Sequence, residues 1–135
     1  MAGATLDQYA AVAGNEVINQ LRQLAKPLSG LKVIHVNSTR SGGGVAEILE
    51  RLVPLTRELG LDASWEVIHG TPEFYQCTKS FHNALQGQSV RMRDELLRAY
   101  ERVNAENAEE LRPKLENADI VFVHDPQPAP LLRNT

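Results

Sequence analysis

Apolar residues along the chain alternate between helical spacing and short β-branched runs. In the first 30 residues Val17, Ile18, Leu21 and Leu24 recur every three or four positions with Asn15, Glu16, Gln20 and Arg22 between them. That spacing predicts one amphipathic helix, stopped by Pro27 and Gly30. From Leu31 to Val36 the run Leu-Lys-Val-Ile-His-Val predicts a buried strand, closed by the polar turn Asn37-Ser38-Thr39. Helical spacing returns after Gly44, with Val45, Ile48, Leu49, Leu52, Val53, Leu55 and Leu59 on one side and Gly60 capping the end. Pro54 lies inside this pattern and predicts a kink near Glu50 to Pro54, because an interior proline lacks the N–H that bonds the preceding turn. A second strand is expected over Ala63 to Ile68, ending at His69-Gly70.

Between Thr71 and Ser89 the periodicity is weak, yet Phe74, Tyr75, Cys77, Phe81 and His82 make the stretch too apolar for a disordered linker. It is expected to be an ordered, partly helical insertion. A charged helix follows from about Val90 to Leu111, limited by Pro113, and its run of acids and bases reads as a solvated face. The last strong element, residues 119–124, has four apolar residues in a row, as expected of a parallel strand covered on both faces.

This order predicts an α/β fold, a Rossmann-like parallel sheet with flanking helices and right-handed crossovers. Residues 1–30 form an N-terminal amphipathic helical segment and residues 31–135 the sheet-bearing part. In such sheets ligands gather beyond the carboxyl ends of the strands. The loops Asn37 to Gly44, His69 to Thr71 and His124 to Pro128 are therefore expected to share one rim.

Composition narrows the function classes. With 135 residues, 42% hydrophobic content and a net charge of -3, the chain can bury a core but carries no basic field for nucleic acid. No apolar run is long enough to span a bilayer and the N-terminus lacks the order of a secretion signal, so a cytoplasmic protein is expected. The single cysteine, Cys77, cannot form an intrachain disulfide and reads as a small buried hydrophobe.

Three groups of residues could carry chemistry. Gly42-Gly43-Gly44 stands between a strand and a helix start, where backbone N–H groups and the helix dipole can hold an anion. The phosphate-loop pattern is absent, and Glu47 stands where the last glycine of a dinucleotide fingerprint would fall. Local sequence fits an unliganded turn equally well. His124-Asp125 ends the last strand beside Pro126 and Pro128, which stiffen the loop, although a strand-end histidine is more often structural. His82-Asn83 joins an imidazole and an amide to an aromatic stretch suited to sugar hydroxyls, or simply packed on the sheet. His35 and His69 read as structural.

The strings His35-Val-Asn-Ser-Thr39, Gly42-Gly-Gly-Val-Ala-Glu-Ile-Leu49, Thr78-Lys-Ser-Phe-His-Asn-Ala-Leu-Gln-Gly87 and Val123-His-Asp-Pro-Gln-Pro128 together resemble the trehalose synthases of the glycosyltransferring type. That family comprises retaining glycosyltransferases of GT-B fold that join glucose from a nucleoside-diphosphate glucose to free glucose, reversibly. The resemblance spans about Leu31 to Pro128. It implies that the chain is the first part of an N-terminal GT-B domain, without the nucleotide-binding partner domain.

On this resemblance Gly42, Gly43 and Gly44 lie against the donor diphosphate, and His124 stands at the reaction centre with Asp125 as a loop-fixing acid. His82, Asn83 and Gln127 are candidates for the acceptor pocket. Expected partners are the nucleotide sugar and glucose or trehalose, with no metal, no separate cofactor, no nucleic acid and no membrane. The chain alone is expected to be inactive and to self-associate through an open sheet edge. Two other readings remain: a sucrose- or glycogen-synthase-like transferase, against which Phe81 to Gly87 argues, and a non-catalytic sugar-binding or interaction module.

Overall fold

A computed structural model describes residues 5–134. The elements run α1 (Leu6–Ala13), α2 (Asn15–Ala25), a short 3-10 turn (Lys26–Leu28), β1 (Lys32–Asn37), α3 (Gly44–Glu58), β2 (Asp62–Val67), α4 (Pro72–Leu85), α5 (Asp94–Leu115), β3 (Ile120–Val123) and a second 3-10 turn (Leu131–Arg133). The three strands form one parallel sheet in the order β2-β1-β3. It is an α/β fold with helices flanking the sheet, consistent with a partial Rossmann-like N-terminal GT-B domain. No described helix is long and apolar enough to cross a membrane.

The chain divides into two compact units. The first comprises residues up to 35, 41–65 and 118–122. Its apolar centre is Val33, Leu49, Val53 and Ala63, with Val45, Leu61 and Trp65 packed against it. The single helix expected over the first 30 residues is two, because Gly14 adopts φ +90 and breaks the path between α1 and α2. Thr5 starts α1 with a reciprocal capping box to Gln8, and Leu6 and Ile18 are the buried anchors of the two helices. Helix α3 runs unbroken through Pro54. Pro54 and Glu50 are both exposed, so the carbonyl that loses a helical donor lies on the solvent side. Gly60, at φ +98, ends the helix as expected.

The covering of β3 differs from expectation. Ile120 and Phe122 remain 37% and 48% exposed, whereas the residues of β1 after Lys32 are all buried. Position explains it: β1 is the central strand and β3 an edge, so an all-apolar run does not guarantee cover on both faces. Phe122 instead stacks on the buried His35, with ring centroids 4.9 Å apart, which gives His35 a structural place.

The second unit comprises residues 36–40, 66–117 and 123 onward. The weakly periodic insertion is largely one helix, α4, entered by Thr71-Pro72: the Thr71 hydroxyl accepts the Phe74 N–H at 3.3 Å and Pro72 needs no donor there. The Phe74 and Cys77 side chains face inward with Thr78, while Phe81 is half-buried. Tyr100 on α5 stacks on Phe74 and meets Phe81 edge-on, so three rings join α4 to α5. Burial raises the Cys77 thiol above its ordinary pKa, in keeping with an inert packed side chain. Helix α5 continues past Pro113 to Leu115, contrary to the stop expected there. Leu111 and Leu115 are both buried one turn apart, and their packing outweighs the lost backbone bond.

Candidate functional site

In the first unit, the glycine turn opens α3. Gly42 and Gly43 have φ of +76 and +96, conformations that side-chain-bearing residues rarely adopt. Gly43 occupies the N-cap position and no side chain caps the helix. A Cβ built at any of the three glycines would meet nothing within 4 Å. The turn is therefore an exposed start of a 15-residue helix with room against its backbone, the local arrangement that accepts an anion.

The second unit holds the other candidates. The N–H of His124 donates to the Val36 carbonyl at 2.9 Å, carrying the strand pairing to the end of the motif and leaving the His124 side chain half-buried. Asp125 follows at φ +67, the one described non-glycine residue with positive φ, with its side chain exposed. Aspartate tolerates that conformation better than most residues. Helix α5 then holds the loop. The Tyr100 hydroxyl donates to the Pro126 carbonyl at 2.6 Å, and Nδ2 of Asn104 donates to the Gln127 carbonyl at 3.0 Å. Pro128 is fully buried beneath them.

Beside this loop lies an open cleft of about 340 Å³ lined by Tyr75, Thr78, Lys79, His82 and Gln127. Four of the five recur along α4 at helical spacing, so one stripe of the helix forms a wall and Gln127 faces it. His82 and Gln127 are thus brought together, while Asn83, the next residue on the helix, is not among the lining residues. The amide of Gln86 lies 2.9 Å from Nε2 of His82 and holds that ring. Tyr75 donates its hydroxyl to the Ser38 carbonyl at 3.2 Å, tying the wall to the turn after β1. Oε1 of Gln127 is buried and has no hydrogen-bond partner among the described residues, whereas the residue as a whole borders the cleft. An ammonium, an imidazole, two hydroxyls and a carboxamide around one opening suit a polyol.

A model of the family described as trehalose synthase, N-terminal domain, matches residues 35–135. The chain belongs to this trehalose synthase N-terminal domain family. It is 48% identical to the trehalose synthase of Thermococcus litoralis over 131 residues, which cover 96% of this chain and 31% of that protein. Identity to the trehalose synthase of Rubrobacter xylanophilus is 46%, over 92% of this chain and 30% of the relative. A more distant likeness, 31% identity over 90% of the chain, is to the trehalose phosphorylase of Grifola frondosa, of which it covers 18%. The chain therefore spans about 31% of the length of the trehalose synthases it matches.

Within this trehalose synthase domain, sequence reasoning missed Tyr75, Thr78 and Lys79 as cleft residues and Tyr100 and Asn104 as supports of the His124 loop. The first three had a usable signal: with His82 they share one helical stripe once the insertion is read as a helix. Tyr100 and Asn104 had none, since their acceptors lie 26 and 23 residues further along the chain.

Proposed function

We propose that this domain supplies the sugar-acceptor side, and the diphosphate-facing glycine turn, of a retaining transferase that moves glucose from a nucleoside-diphosphate glucose to glucose, forming trehalose reversibly. One observation carries the reading: Lys79, His82 and Gln127 line one polar cleft beside the loop that follows β3. Membership of the trehalose synthase family supplies the sugar class.

In this mechanism the acceptor hydroxyl attacks from the face on which the diphosphate leaves. The main-chain carbonyl and ring of His124 are assigned to the transferred glucose, where carbonyl dipoles stabilise positive charge developing on the sugar. The N–H groups at the start of α3 stabilise the departing diphosphate, and the three glycines let it reach them. Asp125 is assigned to the shape of the loop; Gln127, His82 and Asn83 belong to the acceptor side. Neither a metal nor a separate cofactor is required. Self-association through the exposed edge of β3, and a cytoplasmic setting, complete the proposal.

The likeness to the trehalose phosphorylase of Grifola frondosa favours a second reading, in which inorganic phosphate takes the place of the nucleoside diphosphate. Calorimetric titration with glucose, trehalose, nucleoside-diphosphate glucoses and inorganic phosphate tests both. The first reading expects heat from glucose or trehalose and from the nucleotide sugar, and binding weakened roughly tenfold or more by His124→Ala, the loss of one or two hydrogen bonds to a sugar. Binding of phosphate without nucleotide sugar would select the second reading, and indifference to every sugar would end both.

A further inference from the structure

Helix α5 buries amides where an amphipathic helix ordinarily buries hydrocarbon. Asn104 is 0% exposed and Asn107 1%. A buried carboxamide is costly unless hydrogen-bonded, a penalty that a buried hydrocarbon side chain does not carry. Each amide divides its donors between the α5 carbonyl one turn back and loop backbone. Nδ2 of Asn107 donates to the His69 carbonyl at 2.8 Å and its Oδ1 accepts the His69 N–H at 3.1 Å, clamping the chain just after β2. Asn104 reaches the Gln127 carbonyl, and Tyr100, one helical turn earlier, reaches the Pro126 carbonyl. Two consecutive carbonyls are thus drawn to one helix. Oδ1 of Asn104 has no partner among the described residues, so the amide is not there because it is fully satisfied. The strained Asp125, at φ +67, stands immediately before the two anchored carbonyls, and such a conformation persists only where its surroundings over-determine it.

We propose that Tyr100 and Asn104 are positioning residues that set the main-chain shape of the Asp125 to Pro128 loop, and through it the fit of the cleft to its sugar. The second half rests on the sugar-binding reading above. The hydrogen-bonded carbonyls turn the backbone of Pro126 and Gln127 toward α5, and the Gln127 side chain is left on the cleft wall. Neither positioning residue lines the cleft, so their effect on affinity is indirect.

The test compares wild type with Asn104→Leu and Tyr100→Phe by titration of glucose and trehalose, chemical denaturation, and amide exchange at Ala129 and Leu131. Asn104→Leu, bulkier and leaving the Gln127 carbonyl unpaired, should lower the denaturation midpoint; where folded, it should lose sugar affinity by about tenfold and exchange faster in the loop. Tyr100→Phe, which removes one oxygen, should do the same more weakly and decides the matter if Asn104→Leu does not fold. Unchanged affinity and exchange in a folded variant would overturn the proposal. If wild type binds neither sugar, the sugar-binding reading fails by itself. Exchange then judges the loop: faster loop exchange in the variants upholds the positioning role, and unchanged exchange refutes it.

Discussion

The glycine turn at the head of α3 and the loop after β3 hold their shapes in opposite ways. The turn owes its shape to missing side chains: Gly42 and Gly43 reach positive φ at little steric cost, and a Cβ on either would meet nothing within 4 Å beyond its chain neighbours. The loop owes its shape to side chains brought from elsewhere, because Tyr100 and Asn104 hold its carbonyls and Pro128 is buried under it. An open turn can receive a ligand of varied shape against its backbone. A braced loop presents fixed groups and can discriminate.

Two glycines sharpen that contrast most. In the unit that holds the braced loop, a Cβ at Gly70 would collide with the fully buried Phe74 ring. Gly70→Ala is expected to destabilise by about 3 kcal/mol in chemical denaturation, since the ring has no free space to move into. Little or no loss would mean that this region is looser than its packing indicates.

Gly43→Ala should cost less, about 2 kcal/mol, because only backbone strain opposes it. Its larger consequence should be weaker diphosphate binding, read by titration with a nucleoside diphosphate. Affinity equal to wild type would remove the turn from the donor site.

The smallest effect tests the brace through pH. Burial, with a lesser contribution from Cys77, pushes the Tyr100 phenol up to about 12 from its ordinary 10. A folded-state pKa above the unfolded value means stability is complete below about 10 and is lost as pH rises toward 12. Tyr100→Phe should lose about 1 kcal/mol at neutral pH with the Pro126 hydrogen bond, and should show less of the alkaline decline. A variant with the same alkaline profile as wild type would show that Tyr100 ionisation does not govern that limb.

The residues that define local conformation were readable in order along the chain. The β-branched run before Asn37, the three glycines, and Gly60 at the end of α3 each act through their own backbone preference or the packing period of their neighbours, and those are local properties. Errors came where neighbours override local preference. Pro113 reads as a stop, but Leu111 and Leu115 pull α5 through it; the apolar run of β3 reads as doubly covered, but its edge position leaves Phe122 half-exposed.

The site divides in the same way. His124, Asp125 and the triglycine could be named as candidates from position and resemblance, because strand ends and helix starts expose backbone in predictable places. That His82 and Gln127 share a cleft, that Asn83 does not join them, and that Tyr100 and Asn104 hold the loop could only be decided by folding. Those pairings join residues 23 to 45 positions apart, and nothing in either local segment encodes the distance between them. Sequence alone determined which backbone segments could open onto a ligand. Tertiary packing determined which side chains stand around it, because a buried hydrogen bond is specified by the partner it meets and not by the chain that precedes it.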